Sequence, residues 1–159
     1  MNSFACVAVE GINFNRYFYV IRELSIIFSN GDVQHFHFRN PENMQLTEEE
    51  KITAAYSQHN LSGFGVTDNT TCLLPNTSCR DILNGISHCR IYCAGEITKN
   101  VLRRYLPGTS IIDICEVFGF KYPVKATNPN CPITHGKGYR YCSLFKVNCL
   151  RQRIDGLWL

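Results

Sequence analysis

Three extended apolar runs follow one another at the start of the chain, before any helical periodicity appears, and this order constrains the fold more than any other feature. "FACVAVEGI" is apolar and β-branched enough for a buried strand, and "RYFYVIRELSIIFSNGDVQHFHFRNP" supplies two more. The Asn30-Gly31 pair in "SNGD" sits between extended runs, which is the turn chemistry of a two-residue hairpin. In "VQHFHF" the alternation is strict, with Val33, His35 and His37 facing one way and Gln34, Phe36 and Phe38 the other. His35 and His37 have the spacing of a metal-binding pair, but the exposed face of an edge strand accounts for them more simply. Pro41 ends the hairpin.

Helical signals begin only after it. In "LTEEEKITAAYSQH", Thr47 and Glu50 are spaced as a capping box and three glutamates sit at the positive end of the helix dipole. "NTSCRDILNGI" offers a second such start at Ser78 with Asp81. "CRIYCAG" then reads as a strand, "EITKNVLRRYL" as a helix stopped by Pro107, and "SIIDIC" as another strand. In "YCSLFKVNCLRQRI", Cys142, Phe145, Cys149 and Leu150 recur with helical spacing. A hairpin followed by strands alternating with helices implies an α/β fold with a mixed sheet flanked by helices, in one domain spanning 1–159. This order resembles the ribonuclease H-like fold.

A chain of 159 residues that is 45% hydrophobic has the material for one core. It contains no run of about 18 apolar residues, and "FACVAV" lacks a basic lead-in, so the expectation is an intracellular protein, cytoplasmic or nuclear, with no membrane partner. Nine cysteines are an odd number and cannot all pair within one chain, so they read as buried thiols plus a metal site. The rival is a secreted disulfide protein, to which the acceptor sequons at Asn60, Asn69 and Asn76 lend surface support. Charge is uneven: residues 1–89 carry five Lys/Arg against nine Asp/Glu, whereas residues 90–159 carry eleven against four. A basic second half points toward a polyanion, with an ordinary solvated surface as the alternative.

Residue by residue, the chain resembles DEDDh-type exonucleases of the ribonuclease H-like fold, whose five ligands hold two catalytic metal ions. That family carries Asp-x-Glu on its first strand; "VAVEG" has Ala8 at the first position and keeps Glu10. The family's second Asp falls on Thr98 in "IYCAGEITKNVL". Its final His and Asp fall on Tyr141 and Lys146 in "YCSLFKVNCL". One ligand of five remains, and a single carboxylate beside a lysine does not hold two divalent cations. The resemblance thus implies that the two-metal mechanism is absent.

The same segments are more similar to the Maelstrom domain, a ribonuclease H-like domain of small-RNA (piRNA) and transposon silencing in which the exonuclease carboxylates are usually lost and a zinc site is gained. "ELSIIFSNGDVQHFHFRNP" resembles the stretch bearing that family's glutamate, and "CPITHGKGYRYCSLFKV" the stretch bearing its other three ligands. The resemblance therefore implies a structural zinc ion held by Glu23, Cys131, His135 and Cys142, with Glu10 as the rival carboxylate. Cys131 and His135 are separated by three residues, wider than the family pattern. Four protein ligands leave no open position for water, so such an ion clasps the fold and does no chemistry. Without the ion, Cys142 and Cys149 are core residues and His135 is a loop histidine.

The functional expectation is a zinc-stabilised pseudo-exonuclease that binds single-stranded RNA, in silencing or a viral counterpart. Lys99, Arg103, Arg104, Lys137, Arg140 and Lys146 are the phosphate contacts expected from the basic half, and Tyr141 a stacking platform. Lys146 stands at a former metal-ligand position, where its ammonium replaces part of the lost charge. The resemblance also admits weak single-stranded RNA cleavage without the usual carboxylates. No catalytic residue can be assigned to it, and His35, His37 and Glu10 are the acid–base candidates by chemistry alone. Two other readings stand beside this one: a protein-interaction scaffold that binds no nucleic acid, and a working DEDDh 3′–5′ exonuclease.

Overall fold

The computed structural model describes residues 3–15, 17–61, 64–66, 74–122 and 142–157. Two long strands, β1 (Phe4–Asn15) and β2 (Phe18–Phe28), form an antiparallel hairpin, and β3 (Val33–His37) pairs antiparallel with β2 at the sheet edge. Helices α1 (Glu48–Asn60) and α2 (Ser78–Asn84) precede β4 (Arg90–Cys93), which lies parallel to β1. Helix α3 (Glu96–Tyr105) leads to β5 (Ile111–Asp113), parallel to β4. The short α4 (Ile114–Phe118) and the long α5 (Ser143–Leu157) complete the described order. The sheet order β3-β2-β1-β4-β5 is the mixed, helix-flanked sheet expected from the sequence.

Side-chain alternation sorts the strands onto two faces. Val7, Leu24, Ile26, Ile91 and Cys93 point toward α2 and α3, where Cys79, Leu83, Val101 and Leu102 fill the larger core. Cys6, Ala8, Ile27 and Tyr92 point the other way, onto Val147, Leu150 and Ile154 of α5. A third cluster of Ile12, Phe14, Val20, Ala54 and Phe64 seats α1 against the far end of the hairpin. The described cysteines, which exclude Cys72 and Cys131, are all free thiols, and burial pushes those of Cys6, Cys79 and Cys93 up to about 12. No helix among the described residues is long and apolar enough to cross a membrane.

One irregularity shapes everything downstream. Glu10 pairs with Glu23 but Gly11 pairs with Ile21, so Arg22 is an extra residue on β2, a β-bulge. The strands close tightly there: a Cβ on Gly11 would lie 1.9 Å from the Val20 carbonyl oxygen. The bulged Arg22 is fully buried. Its Nε donates to the Phe38 carbonyl at 2.8 Å and its Nη1 to Asn40 Oδ1 and the Gly65 carbonyl at 3.0 Å, while the guanidinium lies over the Phe64 ring.

Four local expectations are corrected. The β2–β3 turn is longer than two residues: Gly31 N–H donates to the Phe28 carbonyl, Phe28 N–H donates to Asp32, and Gly31 takes φ +95°, so the glycine serves a three-residue loop. Ser78 is not a cap; α2 starts after Thr77 with no side-chain cap bond, and the Ser78 amide bonds to the Pro75 carbonyl. "SIIDIC" is strand only through Asp113, whose carboxylate accepts from the Cys115 amide and starts α4. The His35/His37 face is covered rather than exposed: His37 is 2% exposed with its ring 5.1 Å from that of Phe64, and His35 is held against Glu23. Alternation assigned the faces correctly, but the packing that covers this one comes from distant segments. The capping box is present as expected, with Glu50 N–H donating to Thr47 Oγ1 and Thr47 N–H to Glu50 Oε1.

Candidate nucleic-acid cleft and carboxylate centres

The bulge places two buried carboxylates opposite each other, Glu10 at 7% exposure and Glu23 at 0%. Like charges directly across a strand pair are unfavourable, and each of these has its own compensation. Glu10 Oε1 accepts from Lys146 Nζ of α5 at 2.5 Å, and the same ammonium donates to the Val9 carbonyl at 3.2 Å. Lys146 also lies 5.1 Å from the centre of the Tyr122 ring. An ammonium held by a carboxylate, a carbonyl and an aromatic face is a cation fixed in place.

Glu23 is compensated differently. Its Oε1 accepts from the Ser143 amide at 2.6 Å, so a carboxylate on β2 caps the positive end of the 15-residue α5. Its Oε2 lies 3.0 Å from His35 Nε2 and 3.9 Å from Cys142 Sγ, and the hydroxyls of Ser25 and Ser143 bond at 2.7 Å beside it. Cys142 is fully buried. Among the described residues no three His, Cys, Asp or Glu side chains group as a metal site. Glu23 and Cys142 lie together, whereas Cys131 and His135 fall outside the described residues. Two ligands of a tetrahedral zinc ion, one sulfur and one oxygen, stand about 3.5 Å apart. The observed 3.9 Å is close enough for that pair to fit one ion.

Around Glu10 and Lys146 opens a cleft of about 700 Å³. Val9, Glu10 and Gly11 form its floor, Ser57 and Leu61 at the end of α1 one wall, and Gly95 to Thr98 at the start of α3 the opposite one. Tyr19, Phe120, Lys121 and Tyr122 line the remainder. Gly95, at φ +104°, gives its amide to Asp113 Oδ1 at 2.9 Å, and this bond together with the Cys115 amide on the same oxygen fixes where α3 and α4 begin. Burial, then the charges of Glu10 and Glu23, hold the Tyr19 hydroxyl well above its ordinary pKa. Tyr122 is raised likewise, chiefly by burial. Both therefore stay neutral donors within the cleft.

The other residues singled out from sequence are dispersed. Thr98 is buried on the cleft wall, and Ala8 is buried beneath α5. Lys99 pairs with Glu116 at 3.0 Å, and with Arg103 it lines a hollow of about 550 Å³ that borders the cleft at Gly95, Glu96 and Cys115 and also holds Asp113 and Glu116, so its charge is largely offset. Arg104 turns to the other side of α3 and donates to the Tyr17 carbonyl at 2.6 Å. Lys137, Arg140 and Tyr141 lie outside the described residues. Sequence reasoning missed Tyr19, Glu96, Phe120, Lys121 and Tyr122. Of these, Tyr19 stands in the alternation of the second apolar run, but nothing local to Tyr122 signals its return to Glu10. Asn76 is committed inward, its amide donating to the Ile21 and Arg39 carbonyls at 3.0 Å, which leaves that sequon no role as an acceptor in the fold.

No protein-family model matches the chain, and no curated protein matches its sequence. Its backbone is similar to solved structures of Escherichia coli exonuclease I. With the complex holding a dT13 oligonucleotide the TM-score is 0.61, at 12% identity over 99% of this chain and 41% of that one. With the dA16 complex the TM-score is 0.58, at 10% identity over 96% and 40%. A product-bound exonuclease I gives 0.56, at 11% identity over 97% and 42%. The chain thus spans about two fifths of the length of those proteins. At such identities the likeness establishes the fold, and the fold is ribonuclease H-like, of the kind on which exonuclease I is built.

Proposed function

We propose that this chain is a Maelstrom-like pseudo-exonuclease that binds single-stranded RNA in the cleft and uses the Lys146 ammonium where a nuclease would use divalent cations. The observation that carries this reading is the 2.5 Å contact between Lys146 Nζ and Glu10 Oε1 on the cleft floor. Two-metal catalysis needs several carboxylates converging on the ions. Here the retained carboxylate is neutralised by a lysine instead. The neighbours that share the fold hold single-stranded oligonucleotides, dT13 and dA16, in support of a strand in the same kind of cleft. A cleft floor on which Lys146 cancels the Glu10 charge, so that a phosphate is not repelled, and neutral tyrosines for the bases suit such a strand.

In the same reading Glu23, Cys131, His135 and Cys142 hold one structural zinc ion, which would tie the start of α5 to β2. The close approach of Glu23 and Cys142 supports Glu23 over Glu10 as its carboxylate ligand, because Glu10 already serves Lys146. Zinc analysis of the purified protein tests this part: one equivalent per chain, lost in Cys142→Ser together with thermal stability, is expected, and none bound overturns it. Small-RNA silencing is the setting that the Maelstrom resemblance implies.

The function is tested by fluorescence titration with a labelled single-stranded RNA across a salt series. Binding that weakens with salt, by a log–log slope of about 0.7 for each phosphate contacted, and that falls roughly tenfold in Lys146→Gln, is the expected result. Absence of binding at low salt would leave the chain a protein-interaction scaffold. Magnesium- or manganese-dependent degradation from the 3′ end would make it an active exonuclease.

A further inference from the structure

The cleft does not end at the start of α3. It shares Asn13, Tyr19, Glu96 and Ile97 with a hollow of about 210 Å³ that also reaches Asn15, Asn100 and Arg104. That hollow shares Tyr19, Val101 and Arg104 with a third, of about 180 Å³, reaching Tyr17, Arg80 and Tyr105. The three adjoin one another through these shared residues and make a trough along the side of α3 that faces the hairpin. We propose that a single-stranded RNA held in the cleft continues along this trough onto a second subsite made by Arg80, Arg104 and Tyr17. This rests on the reading of the cleft given above.

The chemistry of the outer subsite changes in the way a strand would need. Among the described residues, Glu96 is the one carboxylate that lines either outer hollow, against two arginines. Tyr17 is 76% exposed, an uncommon state for an aromatic side chain in a fold with three filled cores and a natural platform for a base. It is not loosely placed: Arg104 Nη1 donates to its carbonyl at 2.6 Å, and its own amide donates to Asn15 Oδ1 at 2.8 Å. Arg80 is stacked over the Tyr105 ring at 5.2 Å, which orients its guanidinium along the same side. Asn13 and Asn100 between the two ends carry amides suited to base edges. Arginine for phosphate, tyrosine for base and amide for base edge, repeated along one path, fit a polynucleotide. An acidic peptide would use the arginines but not the exposed ring.

A length series tests the inference separately from the reading beneath it. Single-stranded RNAs of about 4 and about 12 nucleotides bracket the site sizes of single-strand binders; the short one fills the cleft alone and the long one reaches the outer subsite. Wild-type protein should bind the long RNA at least about tenfold tighter than the short one. Arg80→Ser with Arg104→Ser should remove that advantage, leave the short RNA unaffected, and lower the salt slope for the long RNA by about 1.4. Arg80→Ser alone, at an exposed position, should lower it by about 0.7, which separates a phosphate contact from any loss of fold caused by freeing Tyr17. If the short RNA binds but the long one gains nothing, or if the arginine variants bind the long RNA as the wild type does, the subsite is wrong and the cleft reading stands. If neither RNA binds, both fall. A gain with length that survives the arginine variants but is lost in Lys99→Ser/Arg103→Ser would route the strand over the opposite side of α3 and overturn the path proposed here.

Discussion

Lys146 and Glu10 are 136 residues apart in sequence, and both side chains are about nine-tenths buried where they meet. Taking two charges out of water is costly, and such a pair holds only when its geometry is good and its remaining hydrogen bonds are made. The Val9 carbonyl and the Tyr122 ring also face the lysine ammonium. Lys146→Met should therefore leave a buried carboxylate without its cation and destabilise the fold by about 3 kcal/mol, seen as a lowered denaturant midpoint. Adding Glu10→Gln should recover most of that loss; a double variant no better than the single would refute the pairing. The resemblance of "VAVEG" and "YCSLFKVNCL" to the exonuclease segments singled out Glu10 and Lys146, and the fold brings these two together in the cleft. The role of Glu23 as a cap was not legible. It depends on Ser143, 120 residues away, and a carboxylate on a strand gives no local sign of the helix end it will meet.

At the scale of elements, the bulge at Arg22 is what turns the hairpin into a site. It flips the alternation, so that Glu23 and Glu10 share a face with α5 while Ile21 returns to the opposite core. Gly11 is the residue that lets the strands close around it. Gly11→Ala puts a methyl carbon against the Val20 carbonyl, and we expect a loss of 1–3 kcal/mol or somewhat more, of the order found for overpacked cores. The same variant should displace Glu10 and weaken RNA binding, whereas Gly108→Ala, with open space around it, should do neither. Strand and helix positions were readable because their signals are local: β-branched runs, the Thr47–Glu50 box, and helical spacing from Cys142 to Leu150. Ser78 failed as a cap because a serine in an apparent capping position is only a permission. The covering of His35 and His37 could not be read at all, since edge-strand alternation does not reveal that Phe64 and the start of α5 will lie over that face.

For the whole molecule, Cys6, Cys79, Cys89 and Cys93 act as small apolar residues packed on the two faces of the sheet. The thiols of Cys6, Cys79 and Cys93 are pushed up to about 12, so the folded state keeps protons that the unfolded chain gives up from about pH 8.5. The unfolded state then binds fewer protons, and stability falls as pH rises. These thiols contribute no loss below about pH 8; above it, each costs up to about 1.4 kcal/mol per pH unit until its own folded value is reached. The denaturant midpoint should therefore be flat from neutral pH to about 8 and drop steeply by pH 10, and Cys93→Ala should make the drop shallower. The mixed, helix-flanked sheet was legible from the succession of strands and helices, because short connections and right-handed crossovers leave few arrangements open. The trough along α3 was not, because it is assembled from Asn13, Tyr17, Arg80 and Arg104, which share no motif.

The central claim is that a lysine does the electrostatic work of divalent ions in this cleft. Its most direct test is the affinity for a single-stranded RNA at constant ionic strength, measured with magnesium and with an equivalent amount of sodium salt. Equal dissociation constants, with the RNA recovered intact, are the predicted result. An affinity that rises tenfold or more with magnesium, or shortening of the RNA from its 3′ end, would contradict the account.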